Sequence, residues 1–326
     1  MEKKKRNILI ILSILLILIT AFVIYLLIFK KEEKNYPKEP ISQETIYPSS
    51  EKIEFKETFS ETDKLIYALS KKTQLENVKK MIESLNLDIK IKDSKEAEYY
   101  NWSGNGWSFI YDLSSNYLIF NIEKGLEVGE VELNKNSFSN FVSKYFSKNW
   151  KYTVFETEKR PGGEVVSYAK RKISTDDVVE SKIFNKYTDY LALKDGKIIY
   201  GKILLTDFEE TELEAPLIAS TKLNELINIK GYPKEVFADY SVLQSSVLKK
   251  VDYLSDEFEE LADTLNNCVS SNSSVVYLYK SFNQSYITPV YKIEMLCNVE
   301  YDNQQYSIPA VAYVNAIDPE YISIPE

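Results

Sequence analysis

The side chains able to carry chemistry are few. Cys268 and Cys297 are the only cysteines. Outside the cytoplasm two cysteines can pair, and closing a loop of about thirty residues adds on the order of 3–4 kcal/mol. Cys297 also falls on the apolar side of an alternating run, where a buried free thiol is equally natural, so both readings stay open. Acidic neighbours occur at Asp176-Asp177, at Glu209-Glu210, and at Asp256-Glu257 with Glu259-Glu260. Two carboxylates can hydrolyse a glycoside, but sequence neighbours do not face each other on a helix or strand. Asp256 and Glu257 sit at a helix start, where the macrodipole favours negative charge. These acids read as solvated faces and caps, and no D-x-D-x-D-G loop accompanies them to hold calcium.

The absences are more informative. The chain has no histidine, which excludes a Ser-His-Asp triad, a Cys-His pair and a His-ligated zinc or iron site. Its nine glycines form neither G-x-G-x-x-G nor G-K-[ST], so no nucleotide site is implied. Beyond residue 31 the chain carries 34 basic and 48 acidic residues, a net charge of −14. An acidic body repels phosphate backbones, and no basic patch is visible, so nucleic acid is set aside as a partner. No catalytic residue, metal ligand or cofactor is expected. Tyr99, Tyr100, Trp102 and Trp107 gather around a Gly/Asn/Ser turn and form the candidate binding surface, a carbohydrate or peptide platform. Packing at a strand rim is the competing reading of the same four residues.

These residues must be positioned by recognisable elements. Asn7 to Phe29 is an uncharged, apolar stretch between Lys3–Arg6 and Lys30–Lys31. At 1.5 Å per residue it is long enough to cross a hydrocarbon core of about 30 Å. The spacing predicts a single-pass signal-anchor over 7–29, with residues 1–6 cytoplasmic and the body outside the cell membrane. Residues 30–60, interrupted by Pro37, Pro40 and Pro48, read as a tether.

Four amphipathic helices are expected after it. The first opens at the Thr73–Glu76 capping pattern, with Leu75, Val78, Met81, Ile82 and Leu85 on one face. The second starts near Ser137 with Phe138, Phe141, Val142, Tyr145 and Phe146. The third follows Ser220 with Leu223, Leu226 and Ile227 and ends at Gly231. The fourth carries Phe258, Leu261, Ala262 and Leu265. Between them the period changes to two: Trp107, Phe109, Tyr111 and Leu113; then Ile198, Tyr200, Lys202 and Leu204; then Tyr291, Ile293, Met295, Cys297, Val299 and Tyr301.

The stretches Val275–Tyr279, Tyr286–Ile293 and Val311–Ile317 resemble the exported domains of YycH/YycI-type regulatory proteins and PepSY-like modules. There a strand of the form L-x-P-x-Y precedes a final strand of the form V-x-A-I. The resemblance spans residues 200–326, with looser agreement in helix order from 73 onward. It implies a non-enzymatic, membrane-tethered module that modulates a sensor kinase, and it carries over no functional residues.

The expected fold is therefore α+β: a transmembrane helix, then antiparallel meander sheets with helices on one face, in helix-then-meander units. The body divides into an N-terminal lobe, 61–215, and a PepSY-like C-terminal lobe, 216–326. The expected function is a membrane-anchored extracytoplasmic interaction or regulatory module without catalysis, its partners the membrane through residues 7–29 and another membrane or envelope protein. The alternative is a cell-envelope glycan- or peptide-binding module or a carboxylate-based hydrolase.

Overall fold

In the computed structural model, residues 41–42, 53–55, 63–69, 75–85, 87, 94–96, 98–129, 132–174, 177–181, 187–229, 232, 234–238, 265–280, 284–301 and 304–323 are described. Their order begins β1 (Ile41–Ser42), β2 (Ile53–Glu54), β3 (Asp63–Leu69), α1 (Leu75–Ser84), β4 (Ser94–Glu96), β5 (Tyr99–Gly104), β6 (Trp107–Asp112), β7 (Tyr117–Glu127) and α2 (Lys135–Tyr145). It continues β8 (Lys151–Arg160), β9 (Glu164–Lys172), β10 (Val178–Ser181), β11 (Asp189–Lys194), β12 (Lys197–Leu204), β13 (Phe208–Pro216) and α3 (Ser220–Leu226). The last elements are β14 (Lys234–Ala238), β15 (Asn266–Tyr279), β16 (Tyr286–Ile287), β17 (Pro289–Tyr301), β18 (Gln304–Asn315) and β19 (Ile322–Ser323).

The chain builds mostly β-structure, which corrects the α+β expectation. Among the described residues three α-helices stand beside a 14-stranded sheet, a three-stranded sheet β13-β3-β16 and the parallel pair β1-β19. The physical reason lies in strand length. β7, β15, β17 and β18 run 11, 14, 13 and 12 residues, long enough to pair across the whole unit instead of closing small meanders. The helix-then-meander repeat is therefore absent: α3 is followed by β14, which joins the large sheet at its edge beside β18.

The membrane expectation is corrected as well. Among the described residues no helix is long and apolar enough to cross a membrane. The three helices have 10, 11 and 7 residues, at most about 17 Å of the roughly 30 Å a span requires. The single-pass anchor is thereby withdrawn, together with the cell-membrane localisation and extracytoplasmic body built on it. The segment 7–29 itself lies outside the described residues, as do the helix expected around Phe258 and most of the tether. The described residues all fall within one unit, Tyr36–Glu326.

One face of the large sheet is packed. Trp107, Phe109 and Tyr111 of β6, and Leu118, Phe120 and Ile122 of β7, point the same way and are buried. Val78 and Ile82 of α1 and Phe138, Phe141 and Val142 of α2 cover them. α2 starts where the sequence sets it: Asn134 accepts from the backbone N–H of Asn136 and Ser137 at 2.9 and 3.1 Å, and the Ser137 hydroxyl accepts from Asn134 N–H at 2.9 Å, a reciprocal cap. Gly201 of β12 lies in this core because a Cβ there would meet Leu191, Phe120 and the Tyr190 carbonyl at 2.7–2.9 Å. Farther along the same face, β3 and β16 bring Tyr67 and Ile287 against Tyr277, Tyr279 and Val179. At the other end, Leu223 and Ile227 pack on Ile293, Met295, Val299 and Ala312.

Cys268 of β15 and Cys297 of β17 are joined by a disulfide, with their Cα atoms 3.9 Å apart and both residues buried in that end of the core.

β9 is where the sheet forks. β8 runs along one edge of it, while its other edge pairs with β11 at residues 165–169 and with β10 at 171–172. β10 then runs parallel to β15, with Val179, Glu180 and Ser181 opposite Tyr277, Leu278 and Tyr279. Through this one short strand, residues 61–215 and 216–326 enter a common sheet. Glu180 sits at the junction, fully buried. It is ion-paired with Lys170 of β9 and, at 3.0 Å, with Lys292 of β17, and it accepts the Tyr313 hydroxyl of β18 at 2.5 Å. Burial alone would raise its pKa, but the two ammonium groups outweigh desolvation and hold it below the ordinary glutamate value.

Two outcomes follow from these contacts. Native protein treated with an alkylating reagent without reductant should gain no mass. The Cys268→Ala/Cys297→Ala variant should lose about 3–4 kcal/mol of stability, read as a lower urea midpoint; an unchanged midpoint would contradict the disulfide's role. Glu180→Leu leaves Lys170 and Lys292 buried without a counter-charge and should cost about 3–5 kcal/mol at neutral pH. Because the folded-state pKa of Glu180 is depressed, its stabilisation is present above the unfolded value of about 4.3 and lost as pH falls through the folded value. The gap between wild type and variant, measured by urea unfolding, should therefore narrow below about pH 4.

Candidate functional site

Alternation puts a second set of side chains on the face opposite α1 and α2. On β9, β11 and β12, Tyr168, Tyr190 and Tyr200 fall between the core residues Ala169, Leu191 and Ile203. Tyr168 is opposite Tyr190, and Tyr190 is opposite Lys202. The rings meet edge and face: Tyr168–Tyr190 centroids are 6.0 Å apart and Tyr190–Tyr200 6.1 Å. Tyr187, just before β11, packs 5.1 Å from Tyr168. The result is a shelf of four tyrosines, three of them half-buried and Tyr187 buried.

Arg160 and three glutamates complete the shelf. Arg160 ends β8 and is opposite Glu164, the first residue of β9, across the turn Pro161-Gly162-Gly163. Gly162 and Gly163 have φ of 85° and 80°, the left-handed region that glycine enters without penalty. The Arg160 guanidinium donates to the Tyr200 hydroxyl at 2.7 Å and to the Tyr168 hydroxyl at 3.1 Å. Tyr168 donates onward to Glu158 at 3.0 Å, and Tyr200 donates to Glu164. Both carboxylates also take a direct contact from the guanidinium, at 3.1 Å for Glu158 and 3.4 Å for Glu164. Two parallel Arg-Tyr-Glu chains therefore hold one cation. Beside them Tyr187 donates to Glu156. The hydrogen bond from Arg160, then that from Tyr168, lowers the Glu158 pKa. Burial, then the hydrogen bond each makes to its glutamate, raises the tyrosine pKa values of 168, 187 and 200, so all three phenols stay protonated at neutral pH.

A different arginine serves the core. Arg171 stacks 4.0 Å from the Trp150 ring, donates to the Tyr152 hydroxyl at 2.9 Å and to the Leu204 and Thr206 carbonyls, and pairs with buried Asp189 at 3.3 Å. It ties strand ends together and faces no open surface.

The expected platform is placed elsewhere. Trp102 and Trp107 are 1% and 9% exposed and belong to the packed face. Trp107 lies over Gly104, where a Cβ would sit 2.4 Å from the indole, and Tyr100 stacks on Trp102 at 5.9 Å. The indoles are core, and Tyr99 and Tyr100 remain half-buried at the rim. Of the acidic neighbours, Asp177 pairs with Lys64 at 2.7 Å, and Glu209 and Glu210 are exposed on β13. Asp176 and Asp256–Glu260 lie outside the described residues. Among the described residues no group of three or more acid or thiol side chains is placed to hold a metal ion. A shallow groove between the end of β7 and α2, lined by Glu127, Val128, Asn140, Phe141 and Lys144 among others, carries one acidic and one basic side chain.

Reading the sequence for chemistry missed the shelf. Its signal was present as tyrosines 168 and 190 between apolar neighbours, and as Arg160 and Glu164 bracketing a Pro-Gly-Gly turn; Tyr200, read on one face with Ile198, is parted from it by a register shift between the two.

No protein-family model matches the chain, and no curated protein matches it significantly. Among solved structures it is similar to an uncharacterized protein from Eubacterium rectale ATCC 33656, known from a crystal structure at 1.45 Å, with 9% sequence identity and a TM-score of 0.43 over 81% of this chain and 87% of that one.

Proposed function

We propose that this chain is a non-catalytic interaction or regulatory module that recognises another protein through the tyrosine-arginine shelf. The observation that carries this reading is the clustering of tyrosines around one arginine. Tyr168, Tyr190, Tyr200 and Arg160 stand together, each half-buried, on β8, β9, β11 and β12. Tyrosine and arginine are the residue types that dominate binding energy at protein interfaces. Here hydrogen bonds hold Arg160, Tyr168 and Tyr200, and ring contacts hold Tyr190, before any partner arrives, which lowers the entropic cost of association.

The glutamates support the same reading over hydrolysis. Glu158 and Glu164 are each committed to a tyrosine and to Arg160, an arrangement suited to holding a cation and unsuited to delivering or accepting a proton. The resemblance of residues 275–317 to YycH/YycI-type and PepSY-like modules points to a non-enzymatic role as well.

The test compares two versions of the whole chain. Tyr168→Ser/Tyr190→Ser removes two of the shelf's four rings. Affinity capture from the native host should recover a partner with wild type and lose it, by about tenfold or more, with the variant. Thermal unfolding of the two should be compared in parallel. Capture that is identical for both folded proteins would end this proposal.

A further inference from the structure

The shelf already holds a guanidinium, and that fact says what else it can hold. Arg160 is bound by two tyrosine hydroxyls and two carboxylates, drawn from β8, β9 and β12. Planar donors engaged at both terminal nitrogens by oxygen pairs are the arrangement that selects guanidinium over ammonium. None of the four oxygens needs Arg160's own backbone to bind such a group. The side chain is 38% exposed, and those of Glu158 and Glu164 are 47% and 22% exposed, so a solvent-borne group can reach the same oxygens. Half-exposed ion pairs add little net stability, so the resident side chain exchanges at small cost.

We propose that Glu158, Glu164, Tyr168 and Tyr200 form a guanidinium-recognition site for an arginine side chain of a protein partner, and that Arg160 occupies it in the free chain. Charge complementarity favours this occupant. With Arg160 swung out, Glu156, Glu158 and Glu164 leave the shelf acidic, on a chain whose net charge is −9. The inference rests on reading the shelf as a recognition surface, and it adds the chemistry of the group recognised and a resident competitor for it.

The experiment uses the full chain with Arg160→Ala. Low-millimolar ethylguanidinium should raise the melting temperature of the variant, and ethylammonium at equal ionic strength should not. A labelled Gly-Arg-Gly-Arg-Gly peptide should bind Arg160→Ala at least about tenfold more tightly than wild type. Adding Glu158→Gln and Glu164→Gln should remove that gain. Equal peptide binding by wild type and Arg160→Ala, or equal rescue by the two cations, overturns the proposal. If Arg160→Ala fails to fold, Arg160→Gln keeps a neutral side chain of similar reach in its place and is judged by the same peptide comparison. Guanidinium rescue combined with partner capture that ignores the Tyr168→Ser/Tyr190→Ser change would uphold this site and remove the recognition role, so the two readings fail separately.

Discussion

A sheet this wide needs a place where its two halves meet, and here that place is the four residues of β10. The strand joins β9 on one side and β15 on the other, and its backbone alone is a small seam. The side chain of Glu180 extends the seam sideways, reaching lysines on β9 and β17 and a tyrosine on β18. A buried carboxylate is costly unless its charge is matched, and it is matched only when all these strands are in register. The ionic cluster therefore selects one relative placement of the halves, where apolar packing alone would tolerate sliding.

The small sheet reinforces the same junction from the packed side. Tyr277 donates to the Leu65 carbonyl of β3, and Tyr279 donates to the Ser115 carbonyl before β7. Each hydroxyl crosses a large sequence separation to reach a backbone acceptor. Buried tyrosines of this kind combine a large apolar surface with a polar tip that must find a partner, which makes them good spacers between layers. The abundance of tyrosine in the chain is explained here by architecture on one face and by the shelf on the other.

Much of the local structure was legible in the sequence. The helices at 75–84, 135–145 and 220–226 stand close to where their apolar stripes and caps placed them. The hairpin strands 107–112, 117–127, 289–301 and 304–315 follow their alternation. What alternation cannot convey is which strands share a sheet. β10 has four residues and no distinctive pattern, so the parallel β10-β15 pair left no trace from which one sheet could be told from several. The site was hidden for a related reason. Trp102 and Trp107 looked like a platform because indoles flank a turn, but Gly104 makes room for one of them to fold inward. Tyr168, Tyr190 and Tyr200 of the shelf lie 10 to 32 residues apart in sequence and meet only through the β9-β11-β12 register.

The two faces of the sheet are subject to different evolutionary constraints. On the packed face a substitution must conserve volume as well as polarity, since Gly201, Phe120 and Leu191 leave no spare room. At the half-buried positions of the other face, among them 168, 190 and 200, the demand on volume is weaker. Descendants of this chain are therefore free to drift across that surface while keeping an identical backbone. A tyrosine or arginine that persists there through such drift is retained for something other than folding.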